Sequence, residues 1–257
     1  MLLAWGVERA HWPPQLLIPL LLAGGALFGA AMGAVIQWFK VPAFIVTLAG
    51  MFLARGLCYL ISVDSIAIAD ETLTAWSQAR IPVGIGEVSP GVIVALGVLA
   101  VAVVLAHRTP FGRAAYAIGG NERSALLMGL PVAATRVGVY ATSGFCAALG
   151  GVLFGIYTLS GYGLHAQGLE LDAIAATVIG GALLTGGVGL VMGTLTGVLL
   201  LGVIQTLISF DGTLSSWWTR IVIGALLGLF CVLQRGLELA HRARRAPPSA
   251  AAVQPTG

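Results

Sequence analysis

Long apolar runs, most of them about as long as a bilayer is thick, follow one another along this chain with only short polar breaks between them. A helix needs about 20 mostly apolar residues to cross roughly 30 Å of hydrocarbon, and these runs supply that length repeatedly. Of the 257 residues, 58% are hydrophobic and 9% charged, and the mean hydropathy is +0.97. So little polar surface cannot cover a water-soluble globule, which makes the chain a membrane protein. The runs are continuous rather than alternating, and this excludes a transmembrane β-barrel.

Reading runs against breaks places candidate spans at 16–39, 42–62, 88–106, 137–160, 171–184, 187–209 and 217–233. The 171–184 segment is short and flanked by glycine, which suits a broken or re-entrant helix as well as a crossing. About seven crossings is therefore a working count. Cys58, Cys146 and Cys231 each sit in an apolar run without metal-ligand spacing and read as packing residues. The segment before the first run carries Glu8 and Arg9 and no cleavage site of the signal-peptide kind.

Cytoplasmic loops retain Lys and Arg, so charge fixes the orientation. With 107–136 inside, the cytoplasmic segments hold Lys40, Arg108, Arg113, Arg123, Arg136, Arg235, Arg242, Arg244 and Arg245 against Glu122 and Glu238. The opposite face holds Glu8, Asp64, Asp70, Glu71, Glu87, Glu170, Asp172 and Asp211 against Arg9 and Arg80. The acidic face is read as periplasmic and the C-terminus as cytoplasmic. Topology thus accounts for the net charge of +3 without a nucleic-acid partner. Residues 1–236 read as one transmembrane domain with a cytoplasmic loop at 107–136, and 237–257 as a basic, disordered cytoplasmic tail.

Glycines recur every four residues at Gly25, Gly29 and Gly33, and again at Gly189, Gly193 and Gly197, while Gly151 pairs with Gly155. Such spacing lines one helix face where a second backbone approaches closely, which matters in lipid because the hydrophobic effect does not hold helices together there. Thr194 and Thr196 within one seam could bond back to their own helix, so no role is assigned to them.

The loop from His107 to Arg136 contains Tyr116-Ala117-Ile118-Gly119-Gly120-Asn121-Glu122, then Ala125 and Gly129 before Pro131. Asn121 is suited to cap a short helix with Glu122 at the positive end of its dipole, and Gly129 with Pro131 stops it after about two turns. Apolar residues at Leu127 and Met128 beside Ala125 would give it a face for a protein surface or for lipid. This run resembles the coupling-helix signature of the permeases of bacterial sugar ABC importers, the ribose, xylose and galactofuranose group. Val41-Pro42-Ala43-Phe44-Ile45-Val46-Thr47-Leu48-Ala49-Gly50-Met51, the run from Glu170 to Gly181, and Gly186-Gly187-Val188-Gly189 resemble the same family. The run from Phe210 to Thr219, containing Asp211, Trp217 and Trp218, resembles the galactofuranose branch.

The resemblance implies an all-α, polytopic transmembrane bundle of the type II, vitamin B12-like importer fold. It implies a second permease subunit (the same or a different chain), a cytoplasmic ABC ATPase, a periplasmic sugar-binding protein and the lipid bilayer as partners. Gly119, Gly120, Asn121, Glu122, Ala125 and Gly129 would couple to the ATPase. It further implies about ten helices in two inverted halves, so that the first two helices lack counterparts here and an N-terminally truncated start is expected. Transport would be of galactofuranose or another monosaccharide, with no cofactor and no catalysis by this chain.

The residues themselves support that division of labour. A phosphate-binding loop needs glycines ahead of Lys and then Ser or Thr, and the only lysine, Lys40, precedes Val41. Asp172 either lines the periplasmic mouth or caps a helix beginning at Ala173. Gln205 and Thr206 offer hydrogen bonds either to sugar hydroxyls or to a neighbouring helix, and Tyr162 groups with Tyr157 and His165 near the same mouth. Asp64, Asp70, Glu71 and Arg80 are candidate charges for docking the binding protein, or else ordinary loop polarity. A secondary active transporter of a small polar solute is the alternative, though it would place a charged relay within the spans. An intramembrane enzyme would need HExxH, GxSxG or paired ligands, and these motifs do not occur in the spans.

Overall fold

In lipid an unpaired peptide group costs several kcal/mol, so an apolar run closes its hydrogen bonds within itself as a helix. The computed structural model describes residues 1–83, 86–211 and 216–245. Among them, α2 (Pro14–Phe39), α3 (Ala43–Ile61), α5 (Pro90–Arg108), α8 (Val132–Thr158) and α10 (Val191–Asp211) are long helices. Each is long and apolar enough to cross a membrane, with lengths of roughly 28 to 40 Å at 1.5 Å per residue. Proline opens α2 and α5 at the first turn, where its missing N–H has no partner to lose. Lys40, in the left-handed region at φ 53°, ends α2 and turns the chain into α3.

Two of the expected crossings change. The 171–184 run gives α9 (Leu169–Ile179), 11 residues long and too short to span, as a broken helix would be. It stops because Gly180 and Gly181 follow, the latter at φ 89°. Gly186 and Gly187 are likewise at positive φ, so the next long helix starts at Val191 rather than at 187. The last run lies in α11 (Ser216–Arg245), where the described apolar stretch is Arg220–Phe230. Elsewhere α8 begins five residues ahead of the expected 137. The expectations for 212–215 and for the tail beyond Arg245 lie outside the described residues.

The chain forms two compact units, Met1–Gln167 and Gly168–Gly257. In the first, α2 packs along α8 through the expected glycine seam. A Cβ on Gly29 would overlap the carbonyl oxygen of Tyr140, and one on Gly25 would overlap Ala148 and the Gly144 carbonyl. The two backbones are therefore in direct contact at Gly25 and Gly29, while Gly33 packs on the Tyr140 side chain.

A cluster that the sequence did not foretell caps this pair. The short helix α1 (Leu2–Glu8) buries Leu3, Ala4 and Val7 against Leu17, Ile66, Ile68, Leu73, Val152 and Ile156. Strand β1 (Ile66–Ala67) pairs antiparallel with a later strand at Ser160–Gly161, and the Glu8 carboxylate accepts the Ala69 N–H at 2.6 Å. The 64–87 stretch is likewise more than a loop. It contains α4 (Glu71–Gln78) and a hairpin of β2 (Ile81–Val83) with β3 (Gly86–Val88), while the strand at Ser160–Gly161 is β4. The fold is thus predominantly helical, with two small ribbons that an all-α reading omits.

In the second unit α10 lies on α9 by close backbone approach. Gly193 meets Gly180, and Gly197 meets the Ala176 carbonyl. Ala175, Ala176, Leu201 and Ile223 form its core. The expected seam loses Gly189, which precedes α10, because a four-residue spacing defines a face only inside a helix. Gly151 has nothing within 4 Å among the described residues, so the Gly151 and Gly155 pair is not a seam here. Thr196 bonds back to the Gly193 carbonyl at 2.6 Å.

Candidate functional site

The segment joining α5 to α8 builds two helices where one was anticipated. Thr109 starts α6 (Pro110–Gly120): its hydroxyl accepts from the Gly112 N–H at 3.2 Å and donates to the Leu105 carbonyl at 2.5 Å. Phe111 seats against Gly138 of α8, and the Tyr116 ring stacks on His107 with centroids 6.0 Å apart. Gly119 and Gly120 form the exposed end of α6.

Asn121 then ends α6 and caps α7 (Glu122–Leu127), its Oδ1 accepting from the Ser124 N–H at 3.0 Å. Glu122 lies in the first turn, and α7 closes when Gly129 adopts φ 77°. There the Leu130 N–H bonds to the Ala125 carbonyl and the Gly129 N–H to that of Leu126. This is the capped, glycine-stopped helix that the sequence indicates. Ala125 is its fully buried anchor at 0% exposure, while Leu126, Leu127 and Met128 project outward, Leu127 being 85% exposed.

One residue here carried no sequence signal beyond its charge. Arg136, the fifth residue of α8, holds the Glu122 carboxylate at 2.6 Å and donates its other terminal nitrogen to Gln37 Oε1 at 2.7 Å. Gln37 belongs to the last turn of α2, 99 positions away in sequence, and no local pattern links the three.

The residues considered for a sugar path fall in different units. Tyr162 belongs to the first, where it meets His165 edge-on at 5.5 Å; the other ring on His165 is Phe154, whereas Tyr157 is 76% exposed. Asp172, Gln205 and Thr206 belong to the second. Helix α9 starts at Leu169 with Gly168 as its N-cap, so Asp172 does not cap a helix at Ala173. It stands half-buried in the first turn, near Glu170. A Cβ on Gly168 would lie 3.8 Å from the Arg220 guanidinium, which puts an arginine beside the same helix start. Gln205 is half-buried one turn beyond the buried Leu201, and the Thr206 hydroxyl donates to the Gly202 carbonyl at 2.7 Å.

Of the candidate docking charges, Asp70 caps α4 by accepting the Leu73 N–H at 3.0 Å, and Glu71 follows it exposed. Arg80 donates to the Ser77 and Ala79 carbonyls, and Asp64 projects into the open. Trp218 is exposed.

Known proteins share this sequence over most of its length. Residues 1–231 match the family model described as the permease component of the branched-chain amino acid transport system. The inner membrane ABC transporter permease protein YjfF of Escherichia coli is 52% identical over 240 residues, covering 91% of this chain and 71% of the relative. The fructose import permease protein FruG of Bifidobacterium longum is 39% identical, covering 90% and 70%. The galactose/methyl galactoside import permease protein MglC of Escherichia coli is 33% identical, covering 91% and 70%. No solved structure matches the chain. With its apolar helices, its match over 1–231 and these relatives, the chain belongs to this family of membrane-embedded permease components of transport systems.

Proposed function

We propose that this chain, a multi-pass inner-membrane permease subunit of a sugar importer, receives its driving force from a separate cytoplasmic ABC ATPase docked on α7. The observation that carries the proposal is the form of α7: a short helix fixed at both ends, with Ala125 buried beneath it and Leu126, Leu127 and Met128 presented outward. Three adjacent exposed apolar residues in a hydrophilic connection call for a covering surface, and a docked protein supplies one. Gly119, Gly120, Asn121, Glu122, Ala125 and Gly129 shape and present that surface.

The remaining parts of the reading follow from this one. ATP is hydrolysed on the partner, and this chain is non-catalytic. A periplasmic sugar-binding protein delivers substrate to the face carrying Asp64, Asp70, Glu71 and Arg80, and two permease subunits frame the path. Asp172, Gln205, Thr206 and Tyr162 contact the sugar on its way. The bundle follows the type II, vitamin B12-like plan, residues 1–236 act as one domain with 107–136 facing the cytoplasm, and the tail 237–257 is cytoplasmic. The charge asymmetry of the loops supports that orientation. The cargo is a monosaccharide; the run from Phe210 to Thr219 favours galactofuranose, and the names of the relatives span fructose, galactose and ribose.

The test is co-purification of the chain with its cognate ATPase. Leu127→Glu, which places a charge on the outward face of α7, should remove the ATPase while membrane insertion stays unchanged. Undiminished association would overturn the docking site.

A further inference from the structure

We propose that Arg136 is a positioning residue that locks α7, α8 and α2 into one moving body, so that ATPase motion enters the membrane through the α2 and α8 pair. The inference rests on the reading of α7 as the docking helix and assigns the route by which that helix acts.

Helix α7 has six residues, capped by Asn121 at one end and closed by Gly129 at φ 77° at the other. The buried Ala125 methyl prevents it from lifting away but supplies no directional restraint on its first turn. Arg136 supplies that restraint. Its planar fork reaches two acceptors on two different elements, the Glu122 carboxylate on α7 and the Gln37 amide oxygen on α2. The Arg136 side chain is 24% exposed and that of Glu122 54%, so this contact is only partly screened by water. Glu122 is thereby turned inward as a brace as well as standing at the rim of the docking face.

What Arg136 holds is already stiff. Helices α2 and α8 touch backbone to backbone along Gly25, Gly29, Tyr140 and Gly144, and such a seam has no side-chain rotamers with which to absorb a displacement. A push on α7 is therefore passed to both helices together. Rigid elements joined by a charge-assisted contact are the physical means by which a local shift travels across a protein.

Spin labels at the exposed Arg123 and Phe39 report the distance between α7 and the end of α2, in the chain with its three cysteines replaced by serine and reconstituted in nanodiscs, leaving the outward apolar face of α7 intact. The parent and Gln37→Glu, which keeps an acceptor for Arg136, should give one narrow distance peak. Arg136→Gln, and separately Gln37→Leu, which leaves the pair with Glu122 intact, should broaden it at least twofold. Equal widths in all four would overturn the role of Arg136. With the ATPase bound, cycling between nucleotide-free and ATP-vanadate states should leave the parent peak within about 2 Å. A shift of a helical turn, about 5 Å, would refute the single body. If no ATPase binds α7, the docking reading fails, while the widths measured on the chain alone still decide the brace.

Discussion

Alanine substitutions at Gly24 and Gly29 form a controlled pair, because the two residues lie on the same helix five positions apart and face different surroundings. A Cβ on Gly29 would overlap the Tyr140 carbonyl and crowd the Gly144 Cα, whereas a Cβ on Gly24 would meet nothing within 4 Å. Replacing glycine by alanine gains up to about 1 kcal/mol of helix propensity at either site, so the difference between the variants isolates the overlap. Overpacking of this kind costs about 1 to 3 kcal/mol. The upper end is expected, because the obstructing atoms are backbone and can yield only if α2 and α8 move apart.

Gly29→Ala should therefore be less stable than Gly24→Ala by about 3 kcal/mol, a factor of roughly 100 in the unfolding equilibrium. Reversible unfolding in mixed micelles, followed by tryptophan fluorescence, measures it. Gly144→Ala should behave like Gly29→Ala, since its Cβ would overlap the Gly25 carbonyl. The double variant should cost less than the sum, because helices already separated for one methyl accommodate the second. Equal midpoints for Gly24→Ala and Gly29→Ala would refute the backbone seam and, with it, the stiffness on which the transmission route depends.

Two local predictions concern the caps. Asn121→Ala removes the acceptor for the Ser124 N–H and should destabilise α7 by about 1 kcal/mol; the readout is faster amide exchange at 122–127 with no change in the spans. Asp70→Ala should loosen α4 by a similar amount, raising exchange at the Leu73 amide about fivefold without altering ATPase association.

The sequence revealed the features that depend on residues near one another. Spans were visible as apolar runs, the breakage of α9 as flanking glycines, and the α7 cap as Asn121 followed by Glu122. The seam at Gly25, Gly29 and Gly33 was readable because its spacing sits inside one helix, and the same spacing misled at Gly189, where Gly186 and Gly187 had already broken the regularity. Helix α6 was missed although Thr109 and Pro110 spell a helix start. Its Gly112 is required by the close approach of the Leu105 and Ala106 carbonyls. Asp172 was read either as lining the periplasmic mouth or as capping a helix at Ala173, and the second reading fails because the helix starts earlier, after Gly168 at φ 88°.

Long-range pairings left no trace. Strands of two residues carry no period, so the match of Ile66 with Gly161 was invisible, as was the meeting of Arg136 with Gln37. The charge count had used Arg136 only to orient the loop, and the structure gives it two acceptors as well.

The most direct measurement of the central claim is uptake of radiolabelled monosaccharides into proteoliposomes containing the chain, its cognate ATPase and its binding protein. Accumulation should require Mg-ATP and the binding protein together, and Leu127→Glu should abolish it. Uptake by the chain without the ATPase, driven by an ion gradient, would contradict the account and identify a secondary transporter.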